Sequence, residues 1–231
     1  MIRHSYLKGL KKMKERQNVL VIGANGTTGR MVVDLLAKKS SYYAMGMVRN
    51  EEQKATIEQL GGLPVLGNLE EDFSSAYKDV DVVIFAAGSG GNTGPDKTKS
   101  VDKEGAIKAI DYAKAHGVKK FIMLSALGAE DPSQLDLDES MEVYYDAKHA
   151  ADVHLEKSGL TYTIIRPGAL TDEDAKGTIR AEEILENRDG DITRADVAAV
   201  LVQAVNMDGL NNKAIEILND ETDIITALNR A

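Results

Sequence analysis

Short apolar runs alternate along this chain with longer amphipathic stretches. Six runs rich in β-branched residues are each bounded by Gly, Asn, Asp or Pro, a pattern typical of strands. They occupy residues 18–23, 42–49, 63–68, 81–88, 119–126 and 161–168. Because helical stretches separate consecutive runs, the pattern predicts parallel strands with helices on both faces. The expected fold class is therefore α/β, with one doubly wound parallel sheet.

Local signals mark the ends of two predicted helices. Asn50 followed by Gln53 fits a capping box, so we predict a helix that begins there and ends near Gly61-Gly62. Gly117 follows Ala115 and His116, and a glycine just beyond the last helical turn is a common helix stop. Both predicted helices connect consecutive strands, as a parallel sheet requires.

The C-terminal part of the chain predicts fewer elements. They are a helix over about 194–207, a strand over 213–220 and a short terminal helix. We expect residues 18–231 to form a single domain, in which residues 169–231 contribute a small substrate lobe and the last strand. Residues 1–17 hold six Lys or Arg and one Glu, and they are expected to form a basic tail.

The charge and composition narrow the classes of partner. The net charge is −9 and residues 1–17 carry +5, so the rest of the chain carries −14, which argues against a nucleic-acid or anionic membrane surface. The longest apolar runs have six residues, far below the ~18 of a membrane span. The chain has no Cys and four scattered His, so no metal site is expected. We expect a cytoplasmic protein that acts on a small molecule.

A glycine-rich segment, GANGTTG, follows the first predicted strand at residues 23–29. Its glycines permit the sharp turn out of the strand, the approach of backbone to a pyrophosphate and close packing of the next helix. The N–H groups and hydroxyls at the start of that helix favour an anion. The predicted dinucleotide contacts are Gly23, Asn25, Gly26, Thr27, Thr28 and Gly29. The alternative is an ordinary turn between a strand and a helix.

Arg49 closes the second strand, where an NAD-selective site usually carries an acid for the ribose hydroxyls. A guanidinium instead pairs with a 2′-phosphate, so this residue favours NADP(H) over NAD(H). An ordinary surface arginine at a strand end is the alternative. Strand topology predicts further contacts beyond the third and fourth strands, at Asn68, Leu69, Ala86, Ala87 and Gly88.

Tyr144 and Lys148 lie four residues apart on a predicted helix, so both side chains leave the same face. Ser125 ends the fifth strand, and the carboxyl ends of parallel strands form the ligand crevice. We expect Tyr144 to be the general acid for carbonyl reduction, with Lys148 tuning the phenol and holding the ribose. Ser125 is expected to donate a hydrogen bond to the substrate oxygen. A chance Tyr and Lys pair is the alternative.

These residues together resemble the short-chain dehydrogenase/reductase superfamily, in particular its atypical NAD(P)H-binding, epimerase-like members. The resemblance covers nearly the whole chain from residue 18, in the segments GANGTTG, MVRN, DVVIFAAG, VDKEGAIKAIDYAKAHGVKKFIMLSA, YYDAK, TYTIIRPGAL and ITRADVAAVLVQAV. It implies a Rossmann fold and catalytic positions at Ser125, Tyr144 and Lys148. It also implies that Pro167 and Gly168 lie in the loop that borders the nicotinamide.

Two positions depart from the pattern of these relatives. Asn68 stands where many carry Asp, and Asp102 stands where extended members often carry Asn. The predicted substrate lobe is also smaller than that of sugar-nucleotide epimerases. We therefore expect an NADP(H)-dependent oxidoreductase that transfers hydride to a small carbonyl, quinone or flavin-like acceptor. A non-catalytic NADP(H) sensor and an NAD-dependent epimerase/dehydratase-like enzyme remain as alternatives.

Overall fold

An eight-stranded sheet organises the protein, for which a computed structural model describes residues 16–88 and 98–231. The strand order is β3-β2-β1-β4-β5-β6-β10-β8, and every pair is parallel except β10 with β8. The strands of this sheet are β1 Gln17–Ile22, β2 Tyr42–Val48, β3 Leu63–Leu66, β4 Val82–Phe85, β5 Lys120–Leu124, β6 Tyr162–Pro167, β8 Thr178–Glu182 and β10 Lys213–Asp223. This order is that of the Rossmann fold, so the predicted fold class is confirmed.

Helices cover both faces of the sheet. They are α1 Thr27–Ala37, α2 Lys54–Gln59, α3 Ala106–Ala115, α4 Glu139–Lys157, α5 Arg194–Ala204 and α6 Ile224–Arg230. Residues Thr98–Gly105 form a π-helical turn that leads directly into α3. Alternation within β1 explains the two layers, because Val19 and Val21 pack with α1 and α5 while Leu20 and Ile22 pack with α3 and α4.

Three short strands in the C-terminal part are absent from the sequence prediction. β7 (Ala169–Thr171) and β9 (Asp191–Thr193) form a separate two-stranded sheet, and β8 adds an antiparallel edge to the main sheet. Strands of three residues are too short to show an apolar period. The five residues of β8 alternate in burial, with Ile179 and Ala181 inside, but charged loops surround them.

The capping box predicted at Asn50 and Gln53 does not form. Asn50 makes no side-chain cap, residues Glu51–Gln53 form a 3₁₀ turn, and α2 begins only at Lys54. The tighter turn displaces Gln53, whose Oε1 accepts from the backbone N–H of Arg49 at 2.9 Å. The end of α3 at Ala115 is as predicted, with Gly117 at φ +69°.

The basic tail predicted for residues 1–17 lies mostly outside the described residues, since description begins at Arg16. Arg16 places its guanidinium carbon 4.9 Å from the ring centre of Tyr43. Gln17 already pairs with Tyr42 as the first residue of β1. The sheet therefore begins one residue earlier than the apolar pattern predicts.

Lys120 places a buried amine beneath the end of α5. Its Nζ donates to the carbonyl oxygens of Ala204 at 2.8 Å and Met207 at 3.1 Å. These carbonyls lie at or just beyond the last turn of the helix, so the amine acts as a C-terminal cap. Burial lowers the pKa of Lys120 to about 8.

The buried amine predicts a pH-dependent stability. The ammonium is disfavoured in the folded chain, so its cost is fully present below pH 8 and is relieved as the pH rises towards the unfolded pKa of about 10.4. Relative to Lys120→Met, the wild-type protein should gain up to ~3 kcal/mol of unfolding free energy over that interval. Urea unfolding of both proteins at pH 7.5 and pH 10 measures this gain. If the unfolding free energies of the two proteins change equally with pH, the lowered pKa of Lys120 is contradicted.

Candidate functional site

The turn after β1 touches the segment after β4 through backbone atoms. Gly23 adopts φ +85°, and a Cβ there would lie 2.6 Å from the Cα of Ala87. A Cβ on Gly29 would lie 2.1 Å from the carbonyl oxygen of Gly23. No side chain fits at either position, so these two glycines allow the turn and α1 to close against the sheet.

The first turn of α1 offers backbone donors, because the first N–H groups of a helix have no partner within the helix. Gly26 is the N-cap with φ −74° and ψ 166°, makes no side-chain cap, and is followed by no acid in the first turn. Its own N–H donates to the carbonyl oxygen of Gly23 at 3.0 Å. Thr27 is exposed and Thr28 is buried at this end. An anion is favoured here by the free N–H groups and by the helix dipole.

Asn25 contributes to the same turn through Arg30. The Arg30 Nε donates to the backbone oxygen of Asn25 at 2.9 Å, and its Nη2 donates to Asn25 Oδ1 at 2.7 Å. Asn25 also lines the cavity beside the turn. Its side-chain oxygen is therefore occupied within the turn, and direct contact with a cofactor stays a prediction.

A cavity of about 350 Å³ opens beside this turn, across the ends of β1, β2, β3 and β4. The predicted residues that line it are Gly23, Asn25, Gly26, Arg49, Asn68, Leu69, Ala86, Ala87 and Gly88. The Asn68 Oδ1 accepts from the backbone N–H of Glu70 at 3.2 Å, so this amide shapes the turn after β3. Leu69 is buried and closes the floor.

A second cavity, of about 770 Å³, continues from the first over the ends of β5 and β6. Gly26, Ala86, Ala87 and Gly88 line both cavities, which makes them two halves of one groove. The other predicted residues that line the second half are Thr27, Thr28, Ser125, Tyr144, Lys148, Pro167 and Gly168. The groove thus joins the glycine turn to the predicted reaction site, as the binding of an extended dinucleotide would require.

Helix α4 carries Tyr144 and Lys148 on one face, with the Lys148 Nζ 5.6 Å from the centre of the Tyr144 ring. Lys148 is buried, and its Nζ donates to the carbonyl oxygen of Leu124 at 3.3 Å and pairs with Asp102 Oδ1 at 3.4 Å. Burial alone would lower the pKa of Lys148, but Tyr144, Asp102 and Asp152 outweigh it and raise that pKa. The side chain is therefore an ammonium at neutral pH.

Ser125 meets a carboxylate that the sequence prediction missed. Its Oγ donates to Asp152 Oδ2 at 2.9 Å, and Arg166 Nε donates to the same oxygen at 3.0 Å. Burial raises the pKa of Asp152 and outweighs the opposing effects of Arg166 and Ser125. Asp152 lies four residues after Lys148 on the same helix, and this i, i+4 spacing is the signal that could have found it.

Further charges that were not predicted stand behind the second half of the groove. Arg188 pairs through Nη2 with Glu130 and, at 2.6 Å, with Oε1 of the fully buried Glu216. Glu130 lies in turn 3.8 Å from Nη1 of Arg166. Burial outweighs Arg188 and raises the pKa of Glu216. The cluster joins two loop residues, Arg188 and Glu130, to Arg166 of β6 and Glu216 of β10. Because these residues are far apart in sequence, local spacing does not predict the cluster.

Arg194 lines the second half of the groove from the start of α5. Its Nη1 donates to Asp172 Oδ1 at 2.8 Å and to the carbonyl oxygen of Leu170 at 3.3 Å. Arg188 and Arg194 both belong to residues 169–231. Residues of this part of the chain therefore line the larger cavity, and their role as a substrate lobe stays a prediction.

The sequence profile of a family described as NAD(P)H-binding matches residues 23–208, which span the glycine turn, the groove and most of the lobe. The chain belongs to the NAD(P)H-binding family. The family assignment agrees with the resemblance to epimerase-like and oxidoreductase-like Rossmann proteins.

Relatives in this family carry names of two kinds. A Bacillus subtilis protein named as an uncharacterized sugar epimerase is 45% identical over 92% of this chain and 99% of its own length. Sanguinarine reductase from Eschscholzia californica is 28% identical over 88% of this chain and 89% of its own. A solved structure from Bacillus halodurans, provisionally called an NAD-dependent epimerase/dehydratase, is 41% identical with a TM-score of 0.89, covering 93% of this chain and 100% of its own.

Residues 16–88 and 98–231 contain neither a candidate metal site nor a candidate membrane-spanning helix. No group of three or more His, Asp or Glu side chains in this part of the chain is arranged to hold a metal ion. Among the same residues, no helix combines the length and apolar character that a membrane crossing demands.

The glycine turn predicts a contrast between two substitutions. A Cβ at Gly26 would lie no closer than 3.3 Å to Gly23 O and otherwise meets open space, whereas Gly29→Ala clashes at 2.1 Å. Gly26→Ala should keep the thermal midpoint within a few degrees but weaken NAD(P)H binding at least ~10-fold, about 1.4 kcal/mol. Gly29→Ala should instead lower the midpoint strongly. Fluorescence titration measures the affinity for NAD(P)H, and thermal unfolding measures the midpoint. Equal NAD(P)H affinity of Gly26→Ala and wild type would refute a cofactor contact at the glycine turn.

Proposed function

We propose that this protein is an NADP(H)-dependent oxidoreductase of the short-chain dehydrogenase/reductase type. Its acceptor would be a small carbonyl, quinone or flavin-like molecule. The observation that carries the proposal is the continuous groove, in which the glycine turn occupies one half and Ser125, Tyr144 and Lys148 occupy the other. The small-molecule substrate and the cytoplasmic location are part of this proposal.

Proton transfer is the task assigned to the side chains of α4. When bound, the reduced dinucleotide supplies the hydride that a carbonyl carbon receives. Tyr144 then gives its phenolic proton to the carbonyl oxygen, which balances the reduction to an alcohol. The Lys148 ammonium, fixed by Asp102 and Leu124 O, stabilises the phenolate left on Tyr144. Lys148 is also the residue that would hold the ribose.

Preference for NADP(H) rests on Arg49. Its backbone N–H is fixed by Gln53, while its guanidinium is exposed on the wall of the first cavity. Within the described residues the guanidinium has no ion-pair partner, so its fork is available to a 2′-phosphate. The acid that lines the first cavity, Glu70, follows β3, whereas an NAD-selective site would need an acid at the end of β2, where this chain has Arg49.

The names of relatives support two candidate activities. Sanguinarine reductase supports a reductase, and the Bacillus relatives named as epimerases support retention of the cofactor through the reaction. An epimerase/dehydratase-like enzyme would copurify with NAD and show no net change in cofactor absorbance. A reductase would consume NADPH in proportion to the acceptor. A non-catalytic sensor would bind NADPH and turn over no acceptor.

Tyr144→Phe tests the proton donor. With an acceptor identified from aldehydes, ketones, quinones and flavins, kcat/KM should fall at least ~100-fold because the proton source is removed. The Kd for NADPH should stay within twofold, since the phenol is not part of the glycine turn. Tyr43→Phe on the exposed face of β2 is the matched control and should retain activity. Unchanged turnover in Tyr144→Phe would defeat the proposed role.

Arg49→Asp tests the cofactor preference. The ratio of NADH Kd to NADPH Kd should fall at least ~10-fold, because an acid repels the 2′-phosphate and accepts from ribose hydroxyls. Lys38→Asp changes the net charge equally at the C-cap of α1, away from the groove, and should leave the ratio unaltered. Both constants are obtained by parallel fluorescence titration. A ratio that does not move in Arg49→Asp would exclude the phosphate contact.

A further inference from the structure

We propose that Asp152 is a positioning residue that acts on the substrate through Ser125. The proposal rests on the function given above and assigns a task to a buried carboxylate whose part in the site so far is only its electrostatic effect on Lys148. Asp152 is 1% exposed and does not line the groove, whereas Ser125 does. Any influence of Asp152 on a bound acceptor must therefore pass through another side chain.

The hydrogen bonds identify that side chain. Asp152 Oδ2 accepts from Ser125 Oγ at 2.9 Å and from Arg166 Nε at 3.0 Å. Ser125 N donates to the carbonyl oxygen of Ile165 at 2.8 Å, so both ends of the serine are fixed. A serine would otherwise choose among three staggered rotamers. The carboxylate holds one rotamer through a charge-assisted bond.

The same bond sets the polarity of the hydroxyl. A serine hydroxyl has one proton and two lone pairs, and in this arrangement the proton is directed to Asp152. The lone pairs of Ser125 Oγ remain for the groove side. In this resting arrangement Ser125 therefore presents lone pairs to the groove, which suit the hydroxyl of an alcohol product, whereas the donor role toward a carbonyl oxygen that the sequence predicts requires the serine proton. Its proton becomes available to a substrate oxygen only when the bond to Asp152 is exchanged.

The charged surroundings allow the test to be made in a folded protein. Arg166 also lies 3.8 Å from Glu130 and 4.0 Å from Glu156, so it keeps carboxylate partners when Asp152 is replaced. Asp152→Asn is the conservative variant, because its Oδ1 can accept both existing hydrogen bonds without a charge. Asp152→Ala removes the acceptor altogether.

A double-mutant cycle with Ser125 supplies the decisive kinetics. With an acceptor reduced in a Tyr144-dependent manner, Asp152→Ala and Ser125→Ala should each lower kcat/KM ~10- to 100-fold. The double variant should be no more than ~3-fold below either single variant, because the two residues act as one unit. Asp152→Asn should stay within ~3-fold of wild type. NADPH affinity, measured throughout, should remain unchanged.

Independent, multiplied losses in the double variant would overturn the proposal, as would an Asp152→Asn variant as impaired as Asp152→Ala. Crystal structures provide a readout that needs no turnover. Ser125 should hold one rotamer, directed to residue 152, in wild type and Asp152→Asn, and should leave it in Asp152→Ala. An unmoved Ser125 in Asp152→Ala would refute the positioning role even if no acceptor is found. Absence of turnover with the expected rotamers would count against the proposed function alone.

Discussion

The nucleotide groove depends on a steric constraint between two pieces of backbone. The turn after β1 and the segment after β4 approach so closely that a single Cβ at Gly23 would collide with Ala87. This contact sets where α1 begins, and the N-terminal end of α1 lines the groove through Gly26, Thr27 and Thr28. The second half of the groove shares the same floor, Ala86 to Gly88. The backbone contact between Gly23 and Ala87 thus aligns the candidate cofactor site with the candidate reaction site, without any side chain.

Much of the fold could be predicted because the central strands are buried on both faces. Continuous apolar runs such as that of β4 stand out from the charged helices beside them. The prediction failed where local and tertiary effects compete. β7 and β9 have three residues each, too few for a pattern. At Asn50 the capping signal was present, yet a 3₁₀ turn moved Gln53 onto the N–H of Arg49.

The candidate site also has a part that could be predicted from the sequence and a part that could not. The positions of the glycine turn, Arg49 and the Tyr144–Lys148 pair along the groove could be predicted, because each follows from spacing within one element or from the rule that strand ends form the crevice. Asp152 lies on the predicted helix, but its ion pair depends on Arg166, which belongs to the next strand. The sequence marks Asp102 only as a departure from relatives. It does not predict the ion pair with Lys148, because the two residues are distant in sequence. Partners that fold into place from other elements leave no trace in local spacing.

The charges behind the larger cavity restrict how this protein can diversify. Lys148 pairs with Asp102, whereas Arg166 and Arg188 pair with Asp152 and Glu216 and share Glu130. Removing one member of a buried ion pair costs ~3–5 kcal/mol. Replacement of one of these three cations therefore requires compensating changes at its carboxylate partners. The apolar wall residues Leu127, Met141 and Leu170 carry no such constraint. New substrate ranges can arise by exchange of these side chains, while the charged frame is inherited nearly unchanged.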